Sequence, residues 1–170
     1  MQIKLTSAIA ILAAITPSLG SVPLAESLQY MAEATINVRD DFENFTYDNA
    51  YKVGRRLVSE YGGSIVREKF QQLKYFPGSL SDEDQAEVCE SYANFLSTTQ
   101  DMVTAATGKE KLIKKTEFGD GIYHLVKADW GYTSDLTYDV LGVTPTCRDD
   151  GLVDATTHLL NAYKQLVEGS

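Results

Sequence analysis

The chain is 170 residues long, with 24 acidic and 15 basic side chains and a net charge of −9 at pH 7. A balance this acidic argues against a nucleic-acid binder, whose partner demands a basic face. The length provides for one domain with a real core.

The chain opens with a targeting layout. Met1 to Lys4 is a short basic head, Leu5 to Ile15 is an apolar run of 11 residues, and Thr16-Pro17 breaks it. Ser18 and Gly20 put small residues at the −3 and −1 positions of a cut before Ser21. The reading is a signal peptide over 1–20 and a single domain over 21–170, against the plainer alternative of a buried N-terminal helix. The apolar run is too short to span a bilayer. The end, Gln165 to Ser170, is polar and is no lipid-anchor tail. The protein is therefore expected to be secreted, extracellular or cell-wall associated, and not transmembrane. Without residues 1–20 the chain loses one lysine and no acid, which leaves 150 residues at −10.

From Leu24 onward apolar residues recur at three- and four-residue steps, the mark of amphipathic helices. Leu24, Leu28, Met31, Thr35, Val38, Phe42 and Phe45 predict the first. Asp48 is placed to cap a second, carrying Tyr51, Val53, Leu57, Val58 and Tyr61. Gly62-Gly63 interrupts it, and the pattern leaves open whether residues 46–78 form one helix or two. Phe76-Pro77-Gly78 is a stop. Ser81 starts a long helix with Asp82, Glu83 and Asp84 in the first turn, where the helix dipole favours acids. Its seam is Val88, Tyr92, Phe95, Thr99, Met102 and Ala106, widened by Leu96 and Val103. It either ends at Gly108 or runs on through Leu112 and Ile113. After the break at Phe118-Gly119-Asp120-Gly121, Asp120 is read as the cap of a helix burying Ile122, Val126, Trp130, Thr133, Leu136 and Val140. That helix ends at Gly142-Val143-Thr144-Pro145. The last runs from about Asp149 to Glu168, with Leu152, Thr156, Leu159, Tyr163 and Leu166 inward. The fold class is all-α, a single antiparallel bundle of five or six amphipathic helices.

Cys89 and Cys147 are the only cysteines, and each lies 29 residues from Phe118. Two antiparallel helices folding back at the glycine break bring the sulfurs together. In an oxidising compartment a disulfide is the default for such a pair. It reads as a staple, not a redox site.

Little else carries chemistry. Asp120 and His124, like Asp154 and His158, share a helix face at a four-residue step. A metal needs three or four convergent ligands, so the plainer reading is two surface imidazoles screened by aspartates. There is no Gly-x-Ser-x-Gly elbow, no free cysteine beside a histidine and no phosphate-cradling glycine loop. An enzyme is not expected, and no cofactor or metal is implied. Lys109, Lys111, Lys114 and Lys115 form a basic cluster that can receive a fatty-acid carboxylate, or can simply be a solvated face with Glu110 and Glu117. Asn44-Phe45-Thr46 is the one N-glycosylation sequon. Ten tyrosines and six phenylalanines, many on inward stripes, can fill a core or leave a gap for a lipid tail.

A series of short features resembles the fungal hydrophobic surface binding protein A family, which includes the antigenic cell-wall galactomannoproteins. They are Ala34-Thr35-Ile36-Asn37 in the first helix, Leu80-Ser81-Asp82-Glu83-Asp84 opening a long one, and Lys114-Lys115 before Phe118 and the glycine break. Gly121-Ile122-Tyr123-His124-Leu125-Val126-Lys127-Ala128-Asp129 follows, then Ser134-Asp135, Thr144-Pro145 and Asn161-Ala162-Tyr163. The resemblance covers most of residues 25–167. It implies a helical secreted or wall-associated protein that binds hydrophobic surfaces or lipids, with links to adsorption, recruitment of secreted hydrolases and fatty-acid capture. The chain departs from the family's alanine-rich, usually cysteine-free pattern in its tyrosines and in Cys89 and Cys147.

The functional expectation is a non-enzymatic binder of a lipid, fatty acid or hydrophobic surface, using an apolar groove between helices. Phe95, Met102, Leu112, Ile122, Val126 and Trp130 are its expected lining, toward the unstapled end near Gly119. The alternative is a secreted effector or cell-wall antigen that acts through a host or cell-wall protein on its outer surface.

Overall fold

The three- and four-residue steps become helices in the computed structural model, which describes residues 24–74, 79–148 and 150–168. Helix α1 spans Leu24–Glu43 and buries Leu24, Leu28, Met31, Thr35, Val38 and Phe42, with Phe45 buried just beyond its end. Asn49 shapes the following loop, accepting from the Thr46 amide at 2.8 Å and donating to the Asn44 carbonyl at 2.8 Å. Asn49, not Asp48, occupies the cap position of the next helix, and its side chain is spent on the loop rather than on a helix amide.

Helix α2 (Ala50–Glu60) corrects the expected stripe. Val53, Gly54 and Leu57 are buried, whereas Tyr51 is 65% and Val58 36% exposed. Gly54 is the reason. A Cβ there would sit 2.5 Å from the Phe118 ring, so the missing side chain lets that ring lie against the α2 backbone. The inward face then follows Gly54, Leu57 and Tyr61, and Tyr51 and Val58 turn outward. The Gly62-Gly63 pair does not break the helix. Tyr61–Val66 forms a π-helical turn that leads directly into α3 (Arg67–Lys74), so 50–74 is one helical run. A Cβ on Gly62 would meet Leu125 at 3.0 Å, which marks this turn as a close approach to the next helix but one. The expected stop at Phe76-Pro77-Gly78 lies outside the described residues, as does the leader.

Helix α4 (Asp82–Ile113) has 32 residues and a length of about 48 Å at 1.5 Å per residue. Ser81 caps it, accepting from the Asp84 amide at 3.1 Å and donating to the Asp84 carboxylate at 2.7 Å. The whole expected seam is buried, and Gly108 is carried within the helix. Helix α5 (Gly119–Val143) begins after Phe118, so Asp120 is not its cap. Asp120 lies exposed in the first turn, where an acid still favours the helix dipole. At the far end the Thr144 hydroxyl donates to the Val140 carbonyl at 2.6 Å, and Pro145–Cys147 makes a single 3-10 turn. Helix α6 runs Asp150–Glu168.

Helix α4 packs along α1 and α6, α5 packs on α3, α6 and the π turn, and α4 touches α5 only lightly. Cys89 near the start of α4 is bonded to Cys147 after α5, with Cα atoms 5.3 Å apart. The other ends of α4 and α5 are joined by residues 114–118, so the two helices run antiparallel. The protein is an all-α antiparallel bundle stapled at one end, and among the described residues it has no strand. No described helix is long and apolar enough to cross a membrane.

Cys89→Ser together with Cys147→Ser releases a 58-residue separation in the unfolded chain and should lower the unfolding free energy by about 4 kcal/mol. Gly108→Ala should raise it by about 1 kcal/mol, because no atom lies within 4 Å of the added methyl. Gly54→Ala should lower it by displacing Phe118. Denaturant midpoints of the purified variants test all three signs.

Candidate functional site

The end opposite the disulfide holds a cavity of about 370 Å³. Phe42 of α1, Ala106 and Ile113 of α4, Ile122 and Val126 of α5, and Leu166 of α6 form its apolar walls. All six are buried. Glu110, Lys114, Asp120 and Tyr123 form its polar rim, with Gly119 at the turn. The light packing of α4 on α5 explains why a space opens here. At the turn, a Cβ on Gly119 would meet the Ile113 carbonyl at 2.8 Å, so the α4–α5 connection is as tight as glycine allows. On the rim the Lys114 ammonium pairs with Glu110 at 2.6 Å, and both side chains remain partly exposed. The Tyr123 hydroxyl donates to the Val167 carbonyl at 3.3 Å, which ties the end of α6 to the rim.

One turn beyond the walls lies a fully buried ionic cluster. The Lys69 ammonium donates to Asp129 Oδ1 at 2.6 Å and to the Thr133 hydroxyl at 2.8 Å, and it sits 5.0 Å from the centre of the Phe95 ring. The Tyr61 hydroxyl donates to Asp129 Oδ2 at 2.8 Å, and the Tyr163 hydroxyl donates to the same oxygen. Lys69, Asp129, Tyr61 and Tyr163 are each 0% exposed. Burial pushes the lysine pKa down, with Asp129 pulling it back up. Burial and the Asp129 charge push both tyrosines well above their ordinary value. With its members fully buried and drawn from several helices, the cluster holds those helices together.

Of the six expected lining residues, the structure sets Ile122 and Val126 in the cavity wall. Phe95 and Met102 lie deeper in the core, Phe95 beneath Lys69, while Leu112 and Trp130 are half-buried against the core. Lys114 of the basic cluster reaches the rim, whereas Lys109 donates to the Phe45 carbonyl at 3.1 Å. His124 is exposed and edge-on to Tyr123, and Asp154 and His158 are exposed on α6. Among the described residues no three His, Cys, Asp or Glu side chains converge as a metal site. The Asn44 side chain is exposed, its amide donating to the Asp40 carbonyl at 2.8 Å.

Sequence reasoning missed Phe42, Ala106, Ile113 and Leu166 as cavity walls, and missed the buried Lys69 altogether. The signal for the ionic cluster was the pair of inward tyrosines, since a buried phenol needs an acceptor.

Buried tyrosines predict alkaline sensitivity. Burial pushes the Tyr92 hydroxyl up to about 12, outweighing the opposite pull of its hydrogen bond with Thr156. A phenol whose folded pKa is raised stabilises fully below the unfolded value of about 10, and that stability is lost as pH rises through the folded value. Lys69, lowered on folding, has the opposite slope, but its contribution ends near the ordinary lysine value of 10.5. The melting temperature should therefore fall between about pH 10.5 and 12, and Tyr92→Phe should make that fall shallower. A constant melting temperature across this window would contradict the burial of these phenols.

No protein-family model matches the chain, and no curated protein matches it. Among solved structures the chain is similar to AfMp4p in a crystal structure with palmitic acid, with a TM-score of 0.63 and 15% sequence identity. The likeness covers 85% of this chain and 95% of that one. At this identity what the two share is the helical fold.

Proposed function

We propose that the protein is a non-enzymatic carrier of a long-chain fatty acid, held in the cavity between α1, α4, α5 and α6. The observation that carries this reading is an apolar cavity with a lysine at its rim, in a fold like that of a protein solved with palmitic acid. At about 370 Å³ the space falls within the roughly 300–1,000 Å³ of small-molecule sites. The acyl chain packs on Phe42, Ala106, Ile113, Ile122, Val126 and Leu166. The carboxylate takes Lys114, which exchanges its partly exposed partner Glu110 for the ligand. In this reading residues 1–20 are a leader and the chain works outside the cell or at its wall. The disulfide supports an oxidising compartment. The chain is then a distant relation of the surface-binding family it resembles in sequence.

Delipidated protein should take up a fluorescent fatty acid and release it to palmitate. Lys114→Met should weaken palmitate about three- to tenfold, the scale of one partly exposed charge contact, and leave the matching fatty alcohol unchanged. Ala106→Phe should fill the cavity and abolish both without lowering the melting temperature. No uptake by the unaltered protein, or full uptake by Ala106→Phe, would remove this function.

A further inference from the structure

The end of the bundle that carries the cavity mouth differs in charge from the rest of the chain. Residues 44–55 and 109–120 together hold six basic and four acidic side chains, a net +2 in a chain of −9. Several contacts bring the two segments to one tip. The Tyr51 and Phe118 rings meet edge-on at 5.8 Å, Gly54 lies under Phe118, and Lys109 bonds the Phe45 carbonyl. Tyr47 and Tyr51 are 62% and 65% exposed there. Lys52, Arg55, Lys111 and Lys115 are exposed and hold no ion pair among the described residues.

We propose that this tip docks on the surface of an anionic lipid bilayer. Tyrosine rings settle at the level of lipid headgroups, and lysines beside them are drawn to anionic lipid. A protein partner fits less well, because protein interfaces are depleted in lysine. Docking sets the cavity rim, Lys114 and Gly119, next to the lipid. It thereby deepens the fatty-acid reading, on which its purpose rests, by naming a bilayer as the source of the ligand. The acidic remainder of the chain is repelled by the same surface, so only the tip approaches. Asn44 stands at this tip, and a glycan on it would hold the chain off, so the experiment uses protein made without glycan.

The test is cosedimentation with phosphatidylcholine vesicles, with and without phosphatidylserine, beside fatty-acid uptake in solution. The protein should bind the phosphatidylserine vesicles, and less so as salt rises. Lys111→Glu with Lys115→Glu should weaken that binding at least about tenfold, since each cation near such a surface contributes on the order of 1 kcal/mol. Tyr47→Ser should weaken it too. Tyr138→Ser should not, although Tyr138 is 81% exposed, because it lies toward the stapled end between Asp135 and Asp139. Soluble fatty-acid uptake should be unchanged in all of these variants. Vesicle binding that is absent, that survives the charge reversal, or that depends on Tyr138 would overturn the docking surface. Loss of fatty-acid uptake with vesicle binding intact would instead overturn the cavity's ligand and leave the docking surface standing.

Discussion

The buried pair of Lys69 and Asp129 is the constraint on which the arrangement of the helices depends. Two charges taken out of water are tolerable only when every remaining donor and acceptor is met. Here Asp129 receives the lysine and two phenols, while Lys69 also meets Thr133 and the face of Phe95. The partners come from the π turn, α3, α4, α5 and α6, so a shift of any of these elements leaves a buried charge short of a contact. Apolar residues alone would accept several neighbouring registers of the same helices. The ionic cluster accepts one.

That constraint also explains the space. Because Asp129 and Thr133 face α3 and α6, the same face of α5 cannot close against α4. The α4–α5 pair is held at the far end by the disulfide and at the near end by the 114–118 turn, with little packing between. Toward the turn, Val126 and Ile122 follow Asp129 at three- and four-residue steps along the same face. They line the gap that α4 leaves, and the cavity is the continuation of a face whose deeper part is already committed to Lys69.

Long regular seams were legible in the sequence because burial follows a simple period there. Every seam residue named on α1 and α4 is buried, and Ser81 caps as its residue type demands. The misreadings arise where a local rule had two solutions. On α5 the step from Val126 could fall on Asp129 or Trp130, and hydropathy favours tryptophan. The structure buries Asp129 fully and leaves Trp130 half-buried, because a lysine 60 residues earlier supplies the missing charge. Nothing near Lys69 in the sequence marks it as a buried lysine. The Gly62-Gly63 pair reads as a break by propensity, yet the glycines serve a π turn pressed against Leu125. In both cases the deciding partner is distant in the chain. The antiparallel run of α4 and α5 was readable, since it follows from where the staple must be.

The staple and the cavity answer one another energetically. An apolar space between helices forfeits the dispersion contacts that would fill it, so a bundle with a gap is weaker than one packed throughout. A cross-link can compensate without touching the gap, because it acts largely on the unfolded chain in the entropic account. Placing it at the far end leaves the α4–α5 turn free of covalent restraint, with Gly119 where a Cβ would strike the Ile113 carbonyl. A second apolar layer in place of the disulfide would have restored the same stability by filling the space. The sulfur bridge keeps the helices associated at the end opposite the cavity, so its contribution does not require the cavity to be filled.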